Sequence, residues 1–394
     1  MFDQLTQQPK DKILALMQQF REDPRPGKID LGVGVYRNAE GVTPVMRAIR
    51  AAGAQWQQDE TTKAYTSLAG DAQFLDGMCD LILADTAPRD RMASVATVGG
   101  TGAIHQALEL IKSANPAARV WLSNPTWPNH PAILRHVGLQ AAEYRYFDNE
   151  SRAVDFGAMM TDLQGLAAGD VVLLHGCCHN PTGANLTMPE WTELAGLLLS
   201  KGAIPLIDIA YQGFGDGLDE DAAPTRMLAG KLPEMLIAAS CSKNFGVYRD
   251  RAGILMTICA SSADAALAQN NLATLNRLNY SFPPDHGARL VGLILSDPTL
   301  RADWQAELEE VRNGMLTLRT QLADALQIET GSNRFGFLAQ HRGMFSRLGA
   351  TPEQIETLRD THAIYIIGDS RMNIAGLNAE TVPLLASAIA RAGI

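Results

Sequence analysis

The feature that most constrains this chain is a series of short apolar segments through its middle, each separated from the next by a longer amphipathic stretch. The segments at 94–98, 120–123, 171–175, 204–209, 235–240 and 253–259 are β-rich, and several are apolar throughout, as strands buried on both faces of a parallel sheet must be. The intervals suit crossover helices. Ala103, Ala107, Leu110 and Ile111 recur at helical spacing within 102–113, and Thr187 stands where it can cap a helix over 189–200. This alternation predicts an α/β fold with a mostly parallel sheet flanked by helices.

After residue 297 the pattern changes to one long helix over 300–326, rich in Glu, Arg and Leu, followed by short strands near 335–339 and 364–367. That reads as a separate, smaller α+β lobe. A length of 394 residues asks for two or three domains at about 100–200 residues each, and two is the simpler division. There is no fixed-period repeat and no low-complexity tract.

Charge excludes some partners. A formal net charge of −10 and a pI near 5.3 oppose non-specific attraction to nucleic acid or anionic lipid. The first twenty residues carry acids and amides where a secretory signal needs a basic start, and the apolar runs fall short of the roughly 18 residues that span a bilayer. Five cysteines, odd in number and without CxxC spacing, suit a reducing compartment, so a cytoplasmic location is expected.

Five segments carry candidate chemistry. Lys243, in Ser-Cys-Ser-Lys-Asn-Phe-Gly at 240–246, follows an apolar strand, and at a strand's carboxyl end a partly desolvated lysine is suited to Schiff-base chemistry; the plain alternative is a solvated surface lysine. Asp208 ends an apolar run, so it needs a cation: a protonated pyridine nitrogen or a structural arginine serves equally. Tyr211 follows at the start of a loop. Gly-Gly-Thr-Gly at 99–102, between strand and helix, offers backbone N–H groups to a phosphate or makes only a tight turn. It matches neither the P-loop nor the dinucleotide fingerprint. In the segment 175–183, His-Gly-Cys-Cys-His-Asn-Pro-Thr-Gly, the histidines and cysteines are too close in sequence for a usual zinc site, and adjacent residues leaving a strand are expected to point apart, so no metal is expected. Its Asn-Pro-Thr-Gly portion reads as a turn that fixes Asn180. Arg371, between short apolar runs, can grip a carboxylate with two parallel bonds, though an arginine has many structural uses.

Together these segments resemble class I pyridoxal 5'-phosphate (PLP)-dependent aminotransferases of the aspartate and aromatic amino-acid subgroup, over essentially the whole chain. The likeness rests on an ordered set: Gly-Val-Gly-Val-Tyr at 32–36, Thr-Thr-Lys-Ala-Tyr at 61–65, Gly-Gly-Thr-Gly at 99–102, Asn-Pro-Thr-Trp-Pro-Asn-His at 124–130, Asn-Pro-Thr-Gly at 180–183, Asp-Ile-Ala-Tyr at 208–211, Ser-Lys-Asn-Phe-Gly at 242–246 and Arg-Met-Asn-Ile-Ala-Gly at 371–376. The resemblance implies that Lys243 forms the Schiff base with PLP and then shuttles the proton, and that Asp208 keeps the ring nitrogen protonated, supported by His130. Tyr211 and Asn180 would contact the phenolic oxygen and Trp127 would stack on the ring. Gly100, Thr101, Ser240 and Arg251 would bind the phosphate, with Tyr65 reaching it from the other subunit of a homodimer. Arg371, helped by Asn180 and the Gly34 backbone, would hold the substrate α-carboxylate, and Arg277 of the partner chain would receive a side-chain carboxylate. The implied architecture is PLP fold type I, with a large domain over 44–311 and a small domain combining 1–43, including an N-terminal arm, with 312–394.

Glutamate and 2-oxoglutarate form the expected common pair in a ping-pong exchange. Phe282 and Ala64 stand where aspartate-specific relatives usually carry asparagine, which removes polar groups near Arg277 and predicts activity on tyrosine and phenylalanine as well as aspartate. Including Gly-Cys-Cys-His-Asn-Pro-Thr-Gly and Tyr-Ser-Phe-Pro-Pro, the chain is most similar to bacterial aromatic amino-acid aminotransferases. A strict aspartate aminotransferase is the alternative. A PLP-binding transcription regulator would need a fused DNA-binding module, and β-elimination would not need both Arg277 and Arg371.

Overall fold

The computed structural model describes residues 1–7 and 11–394, which form two compact units: Pro44–Asn180 with Ala184–Gly314, and Met1–Thr43 with Pro181–Gly183 and Met315–Ile394. The division in the C-terminal half falls at Gly314, inside a single long helix, and residues 181–183 go with the smaller unit.

The larger unit is built on a seven-stranded sheet: β1 (Met92–Val98), β2 (Arg119–Asn124), β3 (Gln140–Arg145), β4 (Val171–His175), β5 (Ile204–Ile209), β6 (Met235–Ser240) and β7 (Ala252–Ile258), in the order β1-β7-β6-β5-β4-β2-β3. Strands β3, β2, β4, β5 and β6 pair in parallel, while β7 lies antiparallel between β6 and β1. Because two antiparallel pairings cancel, β1 runs in the same direction as β6. The carboxyl ends of six strands therefore share one edge of the sheet, together with the amino end of β7. Strand β3 escaped the sequence reading because Gln-Ala-Ala-Glu-Tyr-Arg is a largely exposed edge strand with neither a continuous apolar run nor clean alternation.

Helix α1 (Gly99–Ala114) explains how the sheet is covered. Its Ala103, Ile104, Ala107, Leu108 and Ile111 form one buried stripe packed with Val120, Leu122, Val171, Leu173, Leu206 and Leu255 of the sheet. Each fully buried leucine or isoleucine there stabilises the unit by about 1.5–3 kcal/mol. Helix α2 (Met188–Lys201) starts on Thr187, whose hydroxyl caps the Glu190 N–H while the Glu190 carboxylate returns to the Thr187 N–H, so two otherwise orphaned donors are satisfied at one terminus. Helix α3 (Leu218–Lys231) follows the loop after β5.

The long helix α4 spans Pro298–Thr330. In the smaller unit its Leu322 and Leu326 pack with Ile364, Ile366, Met372, Ile374, Leu385 and Ile389 into a separate core. Ile29–Asp30 pairs in parallel with Ile364–Tyr365, and Phe345–Arg347 pairs antiparallel with Arg371–Asn373. The strand expected near 335–339 is not one: Asn333–Phe335 is a 3-10 turn and Phe337–Gln340 a short helix. A five-residue apolar run does not distinguish a strand from a buried helical turn, and here Ser332 caps the first of them. Among the described residues, no helix is long and apolar enough to cross a membrane.

Candidate active site

In an open parallel sheet, loops leaving the carboxyl ends of the strands converge, and the sequence candidates of the larger unit stand there. Gly100 and Thr101 follow β1, Trp127 and His130 follow β2, Asn180 follows β4, Asp208 and Tyr211 end and follow β5, and Ser240 and Lys243 end and follow β6. Arg251 joins them because β7 runs the other way, so the residue before its first position lies at the same edge.

Asp208 is buried, and its Oδ2 lies 3.0 Å from Nε2 of the fully buried His130. The other ring nitrogen, Nδ1, is 2.7 Å from the Thr126 hydroxyl. With the imidazole neutral, Nε2–H donates to Asp208 and Nδ1 accepts from Thr126. Burial alone pushes the Asp208 carboxyl up, but the hydrogen bond to His130 and nearby positive charge, that of Lys243 included, outweigh it and hold the group below its ordinary value. A buried, ionised carboxylate with one oxygen tied to His130 suits a protonated ring nitrogen. Nζ of the half-buried Lys243 sits 4.9 Å from the centroid of the buried Tyr211 ring, and the Trp127 ring meets His130 edge-on at 5.1 Å.

The glycine segment after β1 has a geometry of its own. Helix α1 begins on Gly99, whose N–H donates to the Arg251 carbonyl at 2.8 Å, and Val98 offers no side-chain cap, which leaves the next N–H groups for another acceptor. Gly99 is left-handed at φ +63°, and a Cβ there would come within 2.6 Å of the Arg251 guanidinium. A Cβ on Gly100 would lie 3.0 Å from that of Ser240. Two glycines thus bring Arg251 and Ser240 against the amino end of a helix, where an anion is favoured by the helix dipole and by the guanidinium together. The residues present fit PLP on two counts: a cradle for a phosphate and a buried carboxylate for a pyridinium nitrogen.

Tyr65 and Arg277 are exposed instead. Tyr65, at 84% relative exposure, stacks on Phe282 with ring centroids 4.6 Å apart and planes 11° from parallel, and Arg277 Nη1 donates to Ser281 Oγ at 3.4 Å. Ala64 beside Tyr65 is also exposed.

In the smaller unit Arg371 is buried. Its Nη2 donates to the Gly32 carbonyl at 3.0 Å, and its guanidinium lies 4.3 Å from the centroid of the Phe345 ring. That ring also rests on Gly34, where a Cβ would meet Phe345 Cζ at 2.9 Å. Asn373 Nδ2 donates to the carbonyls of Val33 and Val35 at 2.7 and 2.8 Å, fixing the segment around Gly34.

Several contributors had no visible signal in the sequence. Arg319, fully buried on α4, donates to the carbonyls of Leu338, Gly343 and Phe345 and to the Ser346 hydroxyl, holding the loop that carries Phe345 over Arg371. On an Arg-rich amphipathic helix such a residue looks like any solvated charge. His175, whose register partner is Asp208, lies 5.2 Å from His130 between ring centroids, and burial pushes its pKa down to about 3, so it is neutral. The adjacent cysteines depart from expectation: Cys178 is left-handed at φ +52°, and the two thiols do not diverge.

The family model for aminotransferase class I and II matches residues 26–389. An aromatic-amino-acid aminotransferase of Paracoccus denitrificans is 59% identical over 394 residues, with all of both chains covered. An aspartate aminotransferase of Escherichia coli strain K12 is 42% identical over 99% of each chain. The structure of a Burkholderia pseudomallei aromatic-amino-acid aminotransferase covalently bound to pyridoxal phosphate superposes with a TM-score of 0.97 at 35% identity, covering 100% of this chain and 99% of that one. A match of this extent makes the chain a member of the class I and II aminotransferases.

Proposed function

We propose that this aminotransferase uses PLP to pass the amino group of tyrosine, phenylalanine and aspartate to 2-oxoglutarate in a ping-pong exchange. The observation that carries the reading is the buried Asp208–His130 pair facing the strand-end lysine, next to a phosphate cradle. Bound PLP supplies an electron sink for negative charge developing at the substrate Cα. Every other task falls to the protein. Asp208 holds the ring nitrogen protonated, His130 keeps Asp208 oriented, and Trp127 covers the ring. Asn180 and Tyr211 would favour the anionic phenolic oxygen. Gly100, Thr101, Ser240 and Arg251 would anchor the phosphate, and Lys243 would carry the proton away from Cα and return it at the cofactor's C4' carbon, on the other side of the amino nitrogen.

Arg371 receives the α-carboxylate and Gly34 contributes its backbone. With lysine at 371 the two-bond grip is lost, so kcat/KM for every amino acid is expected to fall by about 10–150-fold, the equivalent of about 1.5–3 kcal/mol. Steady-state kinetics on aspartate and phenylalanine check this, and a loss confined to one substrate would be the wrong pattern.

The aromatic preference is supported by the Tyr65–Phe282 stack, which presents ring faces near Arg277 in the chain where an amide would present donors. Phe282→Asn is expected to shift the phenylalanine-to-aspartate ratio of kcat/KM toward aspartate by about 10-fold or more. An unchanged ratio would remove Phe282 from the specificity argument. We place Tyr65 and Arg277 in the active site of a partner subunit of a homodimer, because both are exposed on their own chain; the enzyme is expected to act in the cytoplasm, where its five cysteines stay reduced.

The deciding experiment follows the absorbance of the PLP-loaded enzyme on adding aspartate or phenylalanine alone, without an oxo acid. Conversion of the lysine-linked cofactor to its amine form by both supports dual specificity. Conversion by aspartate alone makes it a strict aspartate aminotransferase, and conversion by neither rejects the reading.

A further inference from the structure

The proposed chemistry leaves unused a second feature at the same sheet edge. Beside β4 and α3 lies a cavity of about 460 Å³ whose lining includes His175, Cys177, Asp216, Glu220 and Asp221 and no lysine or arginine. Asp216 and Glu220 are exposed, so its solvent side is acidic. Cys177 and Asp221 line it, and a sulfur of Cys177, a sulfur of Cys178 and a carboxylate oxygen of Asp221 all lie within 4.8 Å of one another. The left-handed backbone of Cys178 makes this possible by folding the second thiol back beside the first instead of to the opposite face.

Two further features bear on this cluster. The Asp221 carboxylate is fixed, accepting the N–H groups of Gly213 at 2.8 Å, Gly215 at 2.9 Å and Asp216 at 3.0 Å, and with two lone pairs on each oxygen it keeps acceptor capacity toward the thiols. Both ring nitrogens of His175 on the cavity wall are shielded from solvent and have no hydrogen-bond partner among the described residues. A buried imidazole with neither nitrogen satisfied costs about 1–3 kcal/mol, and a ring nitrogen of His175 lies within 4.8 Å of the ligand atoms of His130 and Asp208, which joins this wall to the catalytic residues. An acidic approach selects a cation, and two thiols select a soft one.

We propose that Cys177, Cys178 and Asp221 bind a thiophilic divalent cation of the Zn²⁺ or Cd²⁺ class through this cavity, and that its binding lowers transaminase activity. On binding, the two thiols release their protons to the buffer and the sulfurs donate to the metal, with no change of oxidation state. The route to the reaction is short. Cys178 Sγ lies 4.0 Å from the Tyr211 carbonyl, and Asn180 is two residues further along the chain, so drawing the sulfurs together displaces two groups assigned to the cofactor's phenolic oxygen.

Cadmium titrated into the PLP-loaded wild-type enzyme tests this, because cadmium–thiolate bonding gives a near-ultraviolet charge-transfer band that carboxylate or imidazole binding does not. One equivalent per chain is expected to raise the band and reduce turnover, while Cys177→Ala/Cys178→Ala keeps metal-free turnover and weakens cadmium binding by more than about 100-fold. The remaining three cysteines and the neighbouring His130, His175 and Asp208 stay in that variant. Undiminished binding by it would assign the ion to them and overturn the proposal, as would the absence of a band in the wild type. Binding with unchanged turnover would refute the inhibitory coupling. None of these readouts depends on which amino acid the enzyme prefers.

Discussion

Replacing Lys243 by alanine is expected to lower turnover by at least about 10⁴-fold, because in the proposed mechanism the change removes both the amine that links the cofactor to the chain and the base that moves the Cα proton. The position explains why one residue can do both. It sits in a turn three residues past the end of β6, half-buried, with Nζ against the Tyr211 ring and close enough to Asp208 for its charge to help keep that carboxyl ionised. Arginine at 243 should rescue nothing, since a guanidinium stays protonated and cannot act as the nucleophile. The fold should survive, as the side chain does not belong to a packed core, and a stability change within about 0.5 kcal/mol is expected. Borohydride reduction followed by peptide mass analysis adds an independent readout: PLP should be fixed to the peptide containing Lys243 in the wild type and to no peptide in Lys243→Ala. A variant within tenfold of wild-type turnover, or cofactor fixed elsewhere, would show that another amine does the chemistry.

How much of this was legible beforehand depends on what each residue requires of its surroundings. The strands β4, β5 and β6 were readable to the residue because apolar runs ended by polar residues leave little choice of register. Asp208 stood out for the same reason, a carboxylate in a run that otherwise excludes charge. Its partner His130 lies 78 positions away, and only the resemblance to known aminotransferases joined the two. The position of Arg251 depends on β7 running antiparallel, and nothing in an apolar heptad states its direction. Phe345 and Arg319 act through one loop conformation, a tertiary property without a local pattern. The cysteine pair departs from the sequence expectation for a definite reason: alternation along an extended strand puts neighbours on opposite faces, but Cys178 lies past the end of β4 and is left-handed, so the rule does not reach it.

Asp208→Asn separates charge from packing and is expected to reduce kcat by about 10²–10³-fold while leaving stability within about 1 kcal/mol of wild type. In the proposed mechanism Asp208 has two tasks. As a hydrogen-bond acceptor it satisfies Nε2–H of a fully buried histidine, and an amide oxygen in the same place can still do so. As an anion held ionised against its burial it keeps a pyridine nitrogen protonated, and an amide cannot. Asp208→Ala should therefore differ from Asp208→Asn in one respect: with no acceptor left for His130, it loses about 1–3 kcal/mol of stability in addition to the rate. Thermal melts and single-turnover half-reactions on both variants resolve the two contributions. Equal rate losses with unequal melting temperatures are the expected pattern. If asparagine restored the rate as well as the stability, Asp208 would be a scaffold for His130, and the charge facing the cofactor ring would have to come from elsewhere.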